Sequence, residues 1–129
     1  MRDRALRVWL VLVGLFFAGV PGFYGIVGEL WHAAWRLPGH NEVTAMFASV
    51  YFMLGIFLLL AARTPAPYRL LIAFAAWSSL AHAAVMGVQA AQAGPHSRLD
   101  FLGATVLFAV IGAVLLLLEP KPAPATAAR

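Results

Sequence analysis

An all-α integral membrane protein, an antiparallel four-helix bundle, is predicted by three features of this 129-residue sequence. Hydrophobic residues make up 63% of it and its mean hydropathy is +0.86, whereas soluble domains are roughly 45–50% apolar. A soluble fold of this size has too much surface for its volume to hide that much apolar matter. Four apolar runs, at 6–27, 43–62, 70–91 and 101–118, are each about 18 to 22 residues long, which at ~1.5 Å per residue crosses a ~30 Å hydrocarbon slab. Helices satisfy their own backbone hydrogen bonds there. The flanking charges are also asymmetric, as a chain with an even number of crossings requires.

The first run begins near Leu6 or Val8. Its GVPGFYG stretch at 19–25 predicts a kink, because Pro21 lacks an amide donor and the glycines relax the backbone. Ordinary helix packing accounts for such residues better than an outer-facing cavity. The basic start, apolar core and small residues around Ala18 and Gly19 also fit a cleaved signal peptide. Continuation through Phe23, Tyr24, Ile26 and Val27 without a polar boundary favours a retained membrane helix.

The 28–42 stretch, GELWHAAWRLPGHNE, reads as the longest connection. Trp31 and Trp35 are one helical turn apart, so if this part is helical both indoles can anchor at the lipid interface, a better reading than an aromatic lid. His32, Arg36, His40 and Glu42 are neighbours whose spacing does not close a metal site. Two prolines in RTPAPYR (63–69) break the chain tightly between helices 2 and 3, and AGPHSRLD (93–100) does so between helices 3 and 4. Short links favour antiparallel neighbours. No internal repeat is visible. The four-helix domain is expected to end at 118, with EPKPAPATAAR (119–129) a flexible cytoplasmic tail too short to argue for SH3 recognition.

Arg2, Arg4, Arg7, Arg63, Arg69, Lys121 and Arg129 fall on one side of the membrane, against Arg36 and Arg98 on the other. The positive-inside rule then places both termini in the cytoplasm of a bacterial inner-membrane protein. A net charge of +4 spread this thinly is no nucleic-acid surface. The absence of cysteine excludes disulfides, iron–sulfur clusters and thiolate chemistry within the chain. Phosphate loops, dinucleotide fingerprints and HExxH zinc patterns do not occur. Ser78 or Ser79 beside His82 lacks the activated geometry that a nucleophile needs.

Helix 3 carries the most polar stripe: Ser78 or Ser79, His82, Met86 and Gln89 recur every three or four residues and share one side. The surrounding alanines and Gly87 admit close neighbours, so helix 3 reads as an interior helix. On helix 2, Glu42, Met46, Ser49 and Met53 repeat at similar spacing and overlap His82 loosely in depth. A Glu42, Ser49 and His82 grouping is therefore expected. Asp100 is expected to cap helix 4. On helix 4, Thr105, Ala109, Gly112 and Ala113 form a small-residue packing side. Leu107, Val110, Ile111, Val114, Leu115 and Leu118 offer wider apolar surface.

The simplest account of these groups is mutual satisfaction: Ser79 and His82 bond across helices and methionines fill irregular space. An imidazole can also ligate heme, and His with Met can bind copper, making His82 the cofactor candidate with His32, His40 or His96 as a second heme ligand. Helix interiors lack carboxylates and the cytoplasmic halves are apolar, which argues against a full proton path. An outer-facing pocket for a small or lipid-like ligand fits better.

The segment from Glu42 into helix 4 resembles DUF6632, a family of small four-helix membrane proteins. The similarity lies in an approximate E-x3-F-x3-Y-x3-G pattern at Glu42, Phe47, Tyr51 and Gly55, where Phe47 is one place out of strict spacing. It continues in AARTP (61–65), FAAWSSLAHAAVMGVQA (74–90) and LDFLG (99–103). This resemblance implies a compact bundle and no particular reaction, and it marks Glu42, Ser79, His82, Met86, Gln89 and Asp100 as positions to test. A looser architectural similarity to DoxX-like proteins adds only fold-level analogy. The expectation is a structural or accessory component that contacts lipids and a partner membrane protein or second copy. The alternative is a ligand, heme or copper pocket near His82.

Overall fold

Lipid tails supply no hydrophobic force between spans, so close packing of small residues and polar contacts must organise the bundle. A computed structural model of the protein describes residues 1–35 and 42–120. α1 (Arg2–Phe17), a π-helical segment (Ala18–Tyr24) and α2 (Gly25–Trp35) run on as one span. α3 (Glu42–Ala61), a short 3-10 turn (Ala66–Tyr68), α4 (Arg69–Gln92) and α5 (Pro95–Leu118) follow, and no strand occurs among the described residues. Helices over Arg2–Ala33, Val43–Ala61, Ala66–Gln92 and Ser97–Leu118 are long and apolar enough to cross a membrane.

The middle helices match their predicted limits to within a residue. The outer two do not. The first continues to Trp35, so part of the expected 28–42 connection is helical and Trp31 is exposed on it. Trp35 is the last described residue of the helix; its side chain, residues 36–41 and the tail from 121 lie outside the described residues. Around Pro21 the helix widens into π geometry, which takes up the missing amide without ending the span. α5 begins at Pro95, six residues earlier than expected. Its N-cap is Gly94 and proline sits in the first turn, where no amide is needed. Asp100 is thus exposed inside α5 and does not cap it.

The first span packs on α3 along a glycine seam. A Cβ built on Gly25 would stand 2.7 Å from Ala48 Cβ, and one on Gly22 would stand 2.7 Å from Phe52 Cα. Further along, Gly55 lies against the backbone of Gly14 and Ala18. α4 and α5 form the second hairpin, where a Cβ on Gly112 would be 2.8 Å from the Ala76 carbonyl oxygen. Gly112 thus belongs to the packing side as expected, while Ala113 is exposed. Ile111 and Leu115, read as part of the wider apolar surface of this helix, are core residues.

Leu6, Leu10, Val13 and Phe17 of α1 face Leu58 and Ala62, Ile72, Ala75, Ala76 and Ala83 of α4, and Phe108, Ile111 and Leu115 in one core. α4 buries an alanine-rich side but leaves Leu70, Phe74, Trp77, Val85 and Val88 exposed, so it is not the interior helix expected: like the other spans it has one packed side and one outer side. Large apolar side chains such as Leu12, Val20, Phe47, Phe74, Trp77 and Val106 remain exposed all round, an arrangement suited to lipid and untenable in water. At one end of the bundle Arg2 donates to the Leu117 and Glu119 carbonyl oxygens, both at 3.0 Å, and Arg69 Nε pairs with Glu119 Oε1 at 2.8 Å. The starts of α1 and α4 and the end of α5 therefore lie together.

Candidate functional site

His82 lies 13 residues from the start of α4 and 10 from its end, close to mid-span. Its polar partner comes from α3: a 3.0 Å hydrogen bond joins His82 Nδ1 to the Tyr51 hydroxyl. The hydroxyl donates when the ring proton is on Nε2, and accepts in the other tautomer. Tyr51 lies nine residues into α3, so both groups sit deep within the apolar layer, where unpartnered polar atoms are costly.

Phe108 of α5 lies tilted against the imidazole, with centroids 4.2 Å apart and planes 35° apart. Tyr51 meets the imidazole edge-on at 6.0 Å and Phe108 at 6.3 Å. Phe17 of α1 closes the group, 5.3 Å from Tyr51 and stacked on Phe108 at 5.9 Å. Each of the four spans thus contributes one ring to a junction between the two hairpins, in geometries that aromatic pairs favour.

Not all predicted groups come together here. On an α-helix at roughly 100° per residue, Ser49 and Met46 project about 160° and 140° away from Tyr51. Met46 is 69% exposed, Ser49 is exposed, and the Ser49 hydroxyl donates to its own helix at the Met46 carbonyl, 2.7 Å away. Both line a groove of about 510 Å³ on the outer side of α3 with Val43, Phe47 and Val50. Of the expected Glu42, Ser49 and His82 grouping, Ser49 does not reach His82 and Tyr51 stands in its place; Glu42 opens α3 and its side chain lies outside the described residues.

On α4, Ser79 is buried on the same broad side as His82, but its hydroxyl donates to the Ala75 carbonyl at 2.7 Å, within its own helix. The cross-helix bond predicted for Ser79 and His82 is therefore made by His82 alone. Met86 is half-buried and Gln89 exposed, so the stripe opens outward one turn at a time. Asp100 is exposed, eight residues from Phe108 along α5 and about 12 Å along the axis.

The Tyr51 bond resembles the second contact that orients a metal-ligating imidazole, but the other donors are badly placed. With Gly25 against Ala48, His32 lies about 15 Å from Tyr51 along the bundle axis. His96 is 12 residues, about 18 Å, from Phe108, and its side chain, like the whole of His40, lies outside the described residues. Met86, one turn along α4, would leave copper two donors where blue-copper sites have three strong ones. Among the described residues no three His, Cys, Asp or Glu side chains gather as a metal site would require.

Tyr51, Phe17 and Phe108 were not singled out as site residues from the sequence. Tyr51 does stand in the approximate family pattern, and 48, 51, 55 and 58 form a three-four repeat of buried and half-buried positions along α3. The Gly14, Ala18 and Gly22 repeat is a further sequence signal for close packing.

A small polytopic membrane protein, four spans converging on a tyrosine–histidine pair, is the class that this fold and junction define. The chain belongs to the family of unknown function DUF6632, whose profile matches residues 3–123. No curated protein and no solved structure matches it.

Proposed function

We propose that this protein is a structural or accessory component of a bacterial inner membrane. The observation that carries this reading is the filled junction: Phe17, Tyr51, His82 and Phe108 occupy the meeting point of the spans with one another's rings. A polar pair bonded across two hairpins holds helices in register, as buried polar contacts in membrane bundles do. The outer sides of α3 and α4, with Met46, Phe47, Val50, Phe74 and Trp77 exposed, are then left to lipids and to a partner membrane protein or a second copy.

Full-length protein extracted in a gentle detergent is expected to run on a native gel as a discrete complex larger than its monomer, with cross-links on α3 or α4. A monomer retaining a Soret band or stoichiometric copper, lost on His82→Ala, would reverse the reading in favour of a cofactor pocket.

The same reading places the end carrying Arg2, Arg69 and Glu119 in the cytoplasm, because seven of the nine basic residues flank that side. With no native cysteine, single substitutions at the exposed Thr64 and Ser97 give clean topology probes. A membrane-impermeant maleimide is expected to label Ser97→Cys on intact cells and Thr64→Cys only after permeabilisation. The opposite pattern would invert the protein.

A further inference from the structure

The two hairpins meet unevenly. The glycine seam draws the first span onto α3, and Gly112 draws α5 onto α4, whereas α1 and α5 are bridged by large side chains, among them Phe16 and Phe17 against Phe108. Side chains of this size leave a furrow between α1 and α5. Its mouth, about 820 Å³, is lined by Met1, Arg4, Ala5, Val8, Trp9, Val114 and Leu118. A second hollow of about 180 Å³ shares Trp9 and continues past Phe16, Leu107 and Ile111.

We infer that this furrow is a binding site for one anionic phospholipid, its phosphate on Arg4 and one acyl chain along the α1/α5 groove. Three observations favour that occupant. From Arg4 to Phe16 is 12 residues, about 18 Å, and from Leu118 back to Leu107 about 16 Å, which matches one leaflet of a ~30 Å hydrocarbon core. The furrow is polar only at its mouth. Trp9 turns its indole N–H inward, buried and without an acceptor among the described residues, so the accessible ring surface along the groove is carbon.

Charge completes the argument. Arg4 lines the mouth and no carboxylate does. Arg2 is taken up by the last carbonyls of α5, offsetting the negative end of that helix beside the site. Arg7 does not line the mouth; it lines one hollow with Asp3, Thr64 and Pro65 and another with Val8, Val11 and Leu12. A second copy seated here would bring its own basic helix start against Arg4. This site is independent of the accessory role proposed above, and its test does not depend on any protein partner.

Native mass spectrometry of the full-length protein, offered equal amounts of phosphatidylglycerol and phosphatidylcholine with identical acyl chains, measures the preference. Wild type is expected to retain one phosphatidylglycerol in excess over phosphatidylcholine. Arg4→Gln should cut that excess about five-fold, the scale of one basic side chain at a charged membrane surface, while Arg7→Gln leaves it within two-fold. Ala5→Phe, which fills the mouth, should abolish retention of both lipids. Circular dichroism and monodispersity establish that each variant is folded, and Arg4→Gln alters only an exposed side chain. Equal retention of the two lipids by wild type, equal effects of Arg4→Gln and Arg7→Gln, or a lipid-free dimer cross-linked through Leu107 would each overturn the assignment.

Discussion

Gly55→Val is expected to destabilise the first hairpin by at least about 3 kcal/mol, the upper end of the usual overpacking range. A Cβ at Gly55 would stand 2.6 Å from the Gly14 carbonyl oxygen and 2.8 Å from Ala18 Cβ, with the Ala18 amide nitrogen closer still. These are backbone atoms and a methyl fixed to the backbone, so no side-chain rotation relieves the collision. Separating the two helices would in turn draw Phe17 away from Tyr51. Gly55→Ala should show a smaller loss, about 1–3 kcal/mol. Gly103→Ala is the control: nothing lies within 4 Å of its added Cβ, and alanine should leave stability unchanged or raise it by up to about 1 kcal/mol. Reversible unfolding in mixed micelles measures all three. Equal effects at Gly55 and Gly103 would show that the seam is not a close backbone contact.

The second large effect is at His82. His82→Ala should cost about 3–5 kcal/mol, on the scale of other ring-to-alanine truncations in cores, because it opens a hole against Phe108 and strands the Tyr51 hydroxyl. Tyr51→Phe keeps the ring and removes only the bond, for which about 0.6–1.7 kcal/mol is expected from other membrane proteins. The informative variant is the double replacement Tyr51→Phe with His82→Phe. It preserves ring volume and removes both polar atoms together, so neither is left unpaired. Its loss should be clearly smaller than the sum of the Tyr51→Phe and His82→Phe losses. Strict additivity would mean the 3.0 Å contact carries no coupling. If the stable double variant still forms the complex proposed above, the pair acts as a fastening between hairpins; if assembly fails at normal stability, the polar atoms themselves are recognised.

How far each element could be read in advance depended on which physical signal marked it. Length and hydropathy marked all four crossings, and the prolines at 65 and 67 marked the turn between α3 and α4. Gly94 and Pro95 carried an equally plain start signal for α5, which the weight placed on Asp100 as a cap obscured. Continuation of the first helix to Trp35 was harder to see because Glu29 and His32 lower the hydropathy without interrupting helical geometry.

The site was half legible. His82 stood out because an imidazole in the middle of an apolar helix needs a partner. Choosing that partner on α3 from polarity alone favoured Ser49, although serine in a helix can satisfy itself on a carbonyl of the preceding turn, as it does on Met46. Tyr51 hides among apolar residues because most of its surface is a phenyl ring.

The sequence by itself determined that this is a four-span membrane protein, which segments cross, and that His82 is the principal polar feature of α4. Tertiary structure alone decided that Tyr51 meets His82, that Phe17 and Phe108 complete the junction, and that a furrow is left between α1 and α5. The reason is the solvent. In water, polarity tells the inner face of a helix from the outer one; in lipid both faces are apolar, and the inner face is known only once small residues on two helices have found each other.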